Sequence, residues 1–183
     1  MRIILLTVLM SVFSFADGHS QRLELPRELQ SSIIPNFFVL ASNNEDELYR
    51  DDLKKNAEKA KAKRVVLSFF ATYCVSCKEE FAVLKKNSDR LKREGVQVYL
   101  INVGEDIHSQ GEKVAEMVKK YAGNAFPFYF DPYVNSLKKF GLVKQNEEAK
   151  LPLTLILDSD LRVLSILIGE MGSDFPQILW SEF

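Results

Sequence analysis

The chain has little of what metal and cofactor sites are usually built from: two histidines, one tryptophan and two cysteines in 183 residues. A structural zinc centre needs four ligands. Assembling one here would require both histidines, and His19 lies near the N-terminus while His108 is remote in sequence from Cys77. No metal is expected. A covalent haem site is excluded because Lys78, not histidine, follows Cys77. Charge of one sign is missing too: 24 basic and 25 acidic residues give a net charge of −1, which offers nothing to draw a nucleic acid. No apolar run reaches the roughly 20 residues of a membrane-spanning helix. Internal repeats and low-complexity tracts are absent, and 46% hydrophobic with 27% charged residues is ordinary for a single globular domain.

The first sixteen residues read as a separate segment. Arg2 is a short basic start, Ile3 to Phe15 is mostly apolar, and Ser14-Phe15-Ala16 resembles a small-x-small cleavage site. Residues 1–16 are therefore expected to be a signal peptide, 17–31 a polar flexible leader, and 32–183 the folded domain. The expected location is periplasmic or secreted; the alternative is tethering to the membrane by an uncleaved N-terminal anchor. No cysteine lies near residue 16, which excludes a lipoprotein.

The two cysteines form one motif, Cys74-Val75-Ser76-Cys77. It follows the apolar run Val65 to Ala71 and precedes a helix-like stretch from Lys78 to Arg93. Positions i and i+3 of a helix share a face, so two sulfurs at this spacing can close a disulfide. The free N–H groups of a first helical turn favour a thiolate. Cys74 is the expected nucleophile and Cys77 its resolving partner. A purely structural staple across two residues would constrain the unfolded chain little.

Strand and helix signals alternate along the rest of the chain. Ile33 to Leu40, interrupted by Pro35, reads as an edge strand, and Glu45 to Lys63 as an exposed helix or helical loop resting on Leu48 and Leu53. The residues from Val65 to Ala71 have the continuous apolar character of a parallel central strand. The helix after the cysteines carries Phe81, Leu84 and Leu91 and stops at Gly95. There follow a strand at Val96 to Val103, a helix at Glu112 to Tyr121, a short strand at Phe126 to Phe130, and a turn with a short helix at Pro132 to Phe140. A hairpin closes the order, with strands at Leu153 to Leu157 and Arg162 to Ile168 turning at Asp158-Ser159-Asp160, then a terminal helix at Asp174 to Phe183. The pattern implies an α/β sandwich with a mixed sheet.

On the residues Phe69 to Phe81, with Ile34-Pro35-Asn36-Phe37, Phe126-Pro127, Asp131-Pro132 and Leu151 to Asp158, the chain resembles the thioredoxin superfamily, most closely its exported TlpA/ResA-like branch of thiol-disulfide oxidoreductases. The similarity extends over about residues 33–170. It implies a thioredoxin-like three-layer sandwich, a central mixed sheet flanked by helices. It also implies a redox-active disulfide, Cys74–Cys77, with no further cofactor. Pro152 is implied to be cis and to form, with Leu151, a substrate-facing loop. Thr72 and Tyr73 flank the motif, Tyr73 standing where the family usually has tryptophan. Glu80 matches an acidic position of the branch and is a candidate proton acceptor for Cys77 or tuner of thiol acidity; its alternative is a first-turn carboxylate favoured by the helix dipole. Ala82 replaces a proline that bends the helix in the family. Ser68 stands where thioredoxin carries a buried acid and cannot itself act as a base. Implied partners are protein thiol or disulfide substrates, including apocytochrome c cysteines, and a membrane dithiol electron donor. A peroxidase relative would need a threonine three residues before its cysteine, and Thr72 is two before Cys74. The rival of a different class is a non-catalytic binding or redox-sensing module of the same fold.

Overall fold

A computed structural model describes residues 21–22, 32–43, 45–169 and 177. The signal peptide, all of the leader but Gln21–Arg22, and all of the terminal helix but Gln177 lie outside these residues.

The strands are β1 (Gln21–Arg22), β2 (Phe38–Ala41), β3 (Glu47–Tyr49), β4 (Arg64–Phe70), β5 (Val96–Val103), β6 (Phe128–Asp131), β7 (Leu153–Asp158) and β8 (Val163–Ile168). The helices are α1 (Arg50–Ala60), α2 (Val75–Lys86), α3 (Ser88–Arg93), α4 (Ile107–Tyr121) and α5 (Asn135–Lys139). One sheet runs in the order β1-β8-β7-β4-β5-β6-β2-β3. Its centre is mixed: β4 lies parallel to β5 and antiparallel to β7.

Period-two alternation divides the apolar side chains of the central strands between two cores. Val65, Leu67 and Phe69 of β4, with Leu153, Leu155 and Leu157 of β7, pack on the face covered by Leu53 and Ala57 of α1 and Leu137 of α5. Val66, Phe70 and Ile156 face the other way, against Phe81 and Leu84 of α2 and Val114 and Val118 of α4. This is the three-layer sandwich that the pattern and the resemblance imply. Ser68 and Thr154 are buried at the same alternate positions as Val66 and Ile156, and they are register partners across β4 and β7. Two hydroxyls thus sit under α2.

Four local readings differ from the structure. The first edge strand starts later, at Phe38, beyond Pro35, and is interior rather than edge because β3 and β6 pair with its two sides. The segment from Glu45 is not all helical: Glu47–Tyr49 turns back as β3 before α1 begins. The long helix after the cysteines is two helices. Asn87 interrupts it, its side-chain Nδ2 donating to the Val83 carbonyl at 2.8 Å, a local bond that competes with the helical ladder. Gly95, at φ +75°, then makes the left-handed turn into β5. Helix α4 also begins five residues before its expected start, because the Asp106 side chain caps the Ser109 N–H at 3.0 Å.

Candidate active site

Strand β4 ends at Phe70 in the middle of the sheet, and α2 begins five residues later at Val75. The edge-to-face contact of Phe70 with Phe81, with centroids 4.8 Å apart, pins the first turns of α2 to the strand. Cys74 is the N-cap of α2, and the Cys77 N–H points at its sulfur at 3.2 Å. The Ser76 hydroxyl lies 3.7 Å from the same sulfur. The two cysteines are joined, with an S–S distance of 2.04 Å. Cys74 is 8% exposed and Cys77 is fully buried, so an incoming sulfur meets Cys74 first. Tyr73 and Val75 beside it are exposed large apolar side chains, 72% and 67% accessible.

The Leu151–Pro152 bond is cis. Leu151 is half-buried and packs against both cores, the second of which contains Cys74 and Cys77. Pro152 is buried at the start of β7.

Glu80 is not an exposed first-turn carboxylate. It is 1% exposed on the inner face of α2, one turn beyond Cys77. Its Oε1 accepts hydrogen bonds from Ser68 Oγ at 2.9 Å and Thr154 Oγ1 at 3.0 Å. Its Oε2 is buried and has no hydrogen-bond partner. Burial pushes the carboxyl up from 4.5 to about 7, against the lowering effect of the two hydroxyls. The buried acid is carried by the helix, and Ser68, on the strand beneath it, is one of its hydrogen-bond donors.

A second buried carboxylate was not singled out in the sequence. Glu105, in the turn after β5, accepts from the Thr72 backbone N–H at 2.8 Å, from the Thr72 hydroxyl, and from Asn102 Nδ2 at 2.5 Å. It ties the turn that carries Tyr73 and Cys74 to the end of β5. A glutamate between Gly104 and Asp106 looks like an ordinary loop charge, and its partner Thr72 is 33 positions away. Its signal is Asn102, a polar residue within the buried stretch from Val98 to Val103 of β5. Glu105→Ala leaves the Thr72 N–H and the Asn102 amide without their acceptor. The expected result is a loss of about 2 kcal/mol in chemical denaturation, which Glu105→Gln partly restores.

Among the described residues no group of three or more His, Cys, Asp or Glu side chains could hold a metal ion. No described helix is long and apolar enough to cross a membrane.

Among curated proteins, the thiol-disulfide oxidoreductase ResA of Bacillus subtilis is 29% identical over 144 residues, covering 78% of this chain and 69% of its own. The ResA of Bacillus cereus is 25% identical over 179 residues, covering 94% and 89%. Among solved structures, a thioredoxin-family thiol:disulfide interchange protein from Chlorobium tepidum superposes with a TM-score of 0.62 at 19% identity, covering 84% of this chain and 97% of its own. A thiol:disulfide interchange protein from Bacteroides sp. gives 0.59 at 15%, covering 83% and 88%. These two likenesses establish the thioredoxin-like fold. The family model for AhpC/TSA matches residues 28–166, from ahead of β2 almost to the end of β8, and the chain belongs to the AhpC/TSA family.

Proposed function

We propose that the protein is an exported thiol-disulfide oxidoreductase that works as a reductase on protein disulfides. The observation that carries this reading is the Cys74–Cys77 disulfide at the sheet-to-helix junction, with Cys74 the more exposed of the two residues and a buried carboxylate one turn behind Cys77.

In the reduced protein the Cys74 thiolate, favoured by the α2 N-terminus and the Cys77 N–H, attacks one sulfur of a substrate disulfide. A Cys74–substrate bond forms, the substrate disulfide breaks, and the released sulfur takes a proton from solvent. Cys77 then transfers its proton to Glu80 and attacks Cys74. The protein disulfide closes, the second substrate thiolate leaves and is protonated, and two electrons have passed to the substrate. Leu151 and Pro152 present the loop facing the substrate, and Thr72 and Tyr73 shape the approach to Cys74. No cofactor beyond the disulfide is required. A membrane dithiol donor returns the electrons. The relatives named thiol-disulfide oxidoreductases support the exchange chemistry, and the apolar stretch within residues 1–16 supports export.

The test is the equilibrium potential of the pair in graded thiol buffers. A midpoint near ~−270 mV or lower is expected. A midpoint near ~−120 mV marks an oxidant, and it overturns both the reductase direction and the apocytochrome c substrate that the resemblance implies.

A further inference from the structure

The hydroxyls under α2 have a second feature beyond their burial. Ser68 and Thr154 lie 12 and 74 positions from Glu80, on different strands, yet both donate to the same oxygen of it. Buried serine and threonine commonly satisfy their hydroxyls locally on the backbone. Here two registered positions of antiparallel strands converge on Oε1 and leave Oε2 bare.

We infer that Ser68 and Thr154 are positioning residues for the exchange reaction: they hold Oε1 of Glu80, leave Oε2 as the oxygen that takes the Cys77 proton, and so set the pH range in which Cys77 is activated. The inference rests on Glu80 being the proton acceptor proposed above.

A carboxylate in an apolar enclosure is stabilised by donors and destabilised by the missing water. Both donors favour the ionised form, so each of them lowers the pH at which Glu80 is free to accept a proton. Threonine is stiff about χ1, and both hydroxyls are carried on central strands, which keeps Oε1 fixed and directs the proton to the other oxygen. The surrounding faces offer no competing charge. Beta-strand neighbours Val66, Phe70 and Ile156 and α4 residue Met117 are apolar. The titratable groups of this core are Cys77, on the same face of α2, Cys74 at the N-cap of that helix, and Tyr121 of α4 at its periphery. In the disulfide form, burial raises the Glu80 carboxyl and the Ser68 and Thr154 hydroxyls lower it.

The experiment compares full-length wild type with Ser68→Ala, Thr154→Val, Thr154→Ser and Glu80→Gln. The Glu80 carboxyl is titrated by ¹³C NMR, with its resonance assigned by its absence in Glu80→Gln. In parallel, the pH–rate profile is recorded for oxidation of the reduced protein by oxidised glutathione. Ser68→Ala and Thr154→Val are each expected to move the carboxyl midpoint upward by about one pH unit, a tenfold change in proton affinity, and to move the pH–rate limb with it. Thr154→Ser keeps the hydroxyl and should remain near wild type. Midpoints that stay in place in both hydroxyl-free variants overturn the inference while leaving Glu80 as the acceptor. A Thr154→Ser shift as large as that of Thr154→Val overturns it as well, because shape would then be the cause. A pH–rate profile unchanged in Glu80→Gln removes the acceptor reading itself, and the inference falls with it.

Discussion

Cys77→Ser is expected to convert the protein from a turnover catalyst into a trap. With Cys74 intact, the first exchange step goes forward and a substrate becomes covalently attached through Cys74. The second step has no resolving sulfur, so the mixed disulfide persists until external thiol removes it. The burial difference between the two sulfurs makes the roles asymmetric: Cys74 is reachable and Cys77 is enclosed by α2 and the sheet. Cys74→Ser should therefore fail to capture substrate although a cysteine remains. Non-reducing electrophoresis with a disulfide-containing protein substrate checks both variants. A Cys77→Ser protein that stays free, or a Cys74→Ser protein that captures equally well, contradicts this assignment.

Replacing Glu80 by glutamine should change stability in a manner that depends on pH. The folded-state carboxyl is raised from 4.5 to about 7, chiefly by burial. Below pH 4.5 the carboxyl is protonated in both the folded and unfolded chains and carries no penalty. Between 4.5 and 7 the unfolded chain ionises first, so folding becomes less favourable by ~1.4 kcal/mol for each pH unit. Above 7 the folded form is ionised as well and the loss levels off near ~3 kcal/mol. The raised value means that stability is present at low pH and lost as pH rises. Glutamine does not ionise. In the oxidised protein, the stability of Glu80→Gln minus that of wild type is expected to climb by ~3 kcal/mol from pH 4 to pH 8 and then stay flat. The other ionisable groups largely cancel in the difference. Denaturant titration across this range is the check, and a difference independent of pH would show that Glu80 is not held protonated by its surroundings.

The sequence revealed the parts of the site that depend on short-range spacing. The Cys74–Cys77 pair, the strand before it and the helix after it are visible because period-two and helical patterns act over a few residues. The cis state of Pro152, at the head of β7, was reached through the resemblance, and the mixed sheet through the alternation of strand and helix signals. What was hidden depended on pairing between distant strands. In the sequence Glu80 is open to the reading of a first-turn carboxylate favoured by the helix dipole, but it lies in the second turn of α2, and the sheet packed beneath it shows that it faces inward. Ser68 and Thr154 each interrupt an apolar strand, and that interruption was the available signal; their common target emerges from the β4–β7 register. Glu105 was missed for the same reason, since its bond to Thr72 joins the ends of two strands. Strand β3 escaped because its three residues lie in a charged stretch that suits a helix equally well.

The most direct test of the central claim is the number of protein disulfides that one molecule reduces when a small dithiol supplies electrons in excess. A catalyst of exchange through Cys74 and Cys77 should reduce many disulfides per molecule, with the activity lost in either cysteine variant. Reduction that stops at one disulfide per protein molecule while dithiol remains would contradict the account and mark the pair as a redox-sensing or binding device on the same fold.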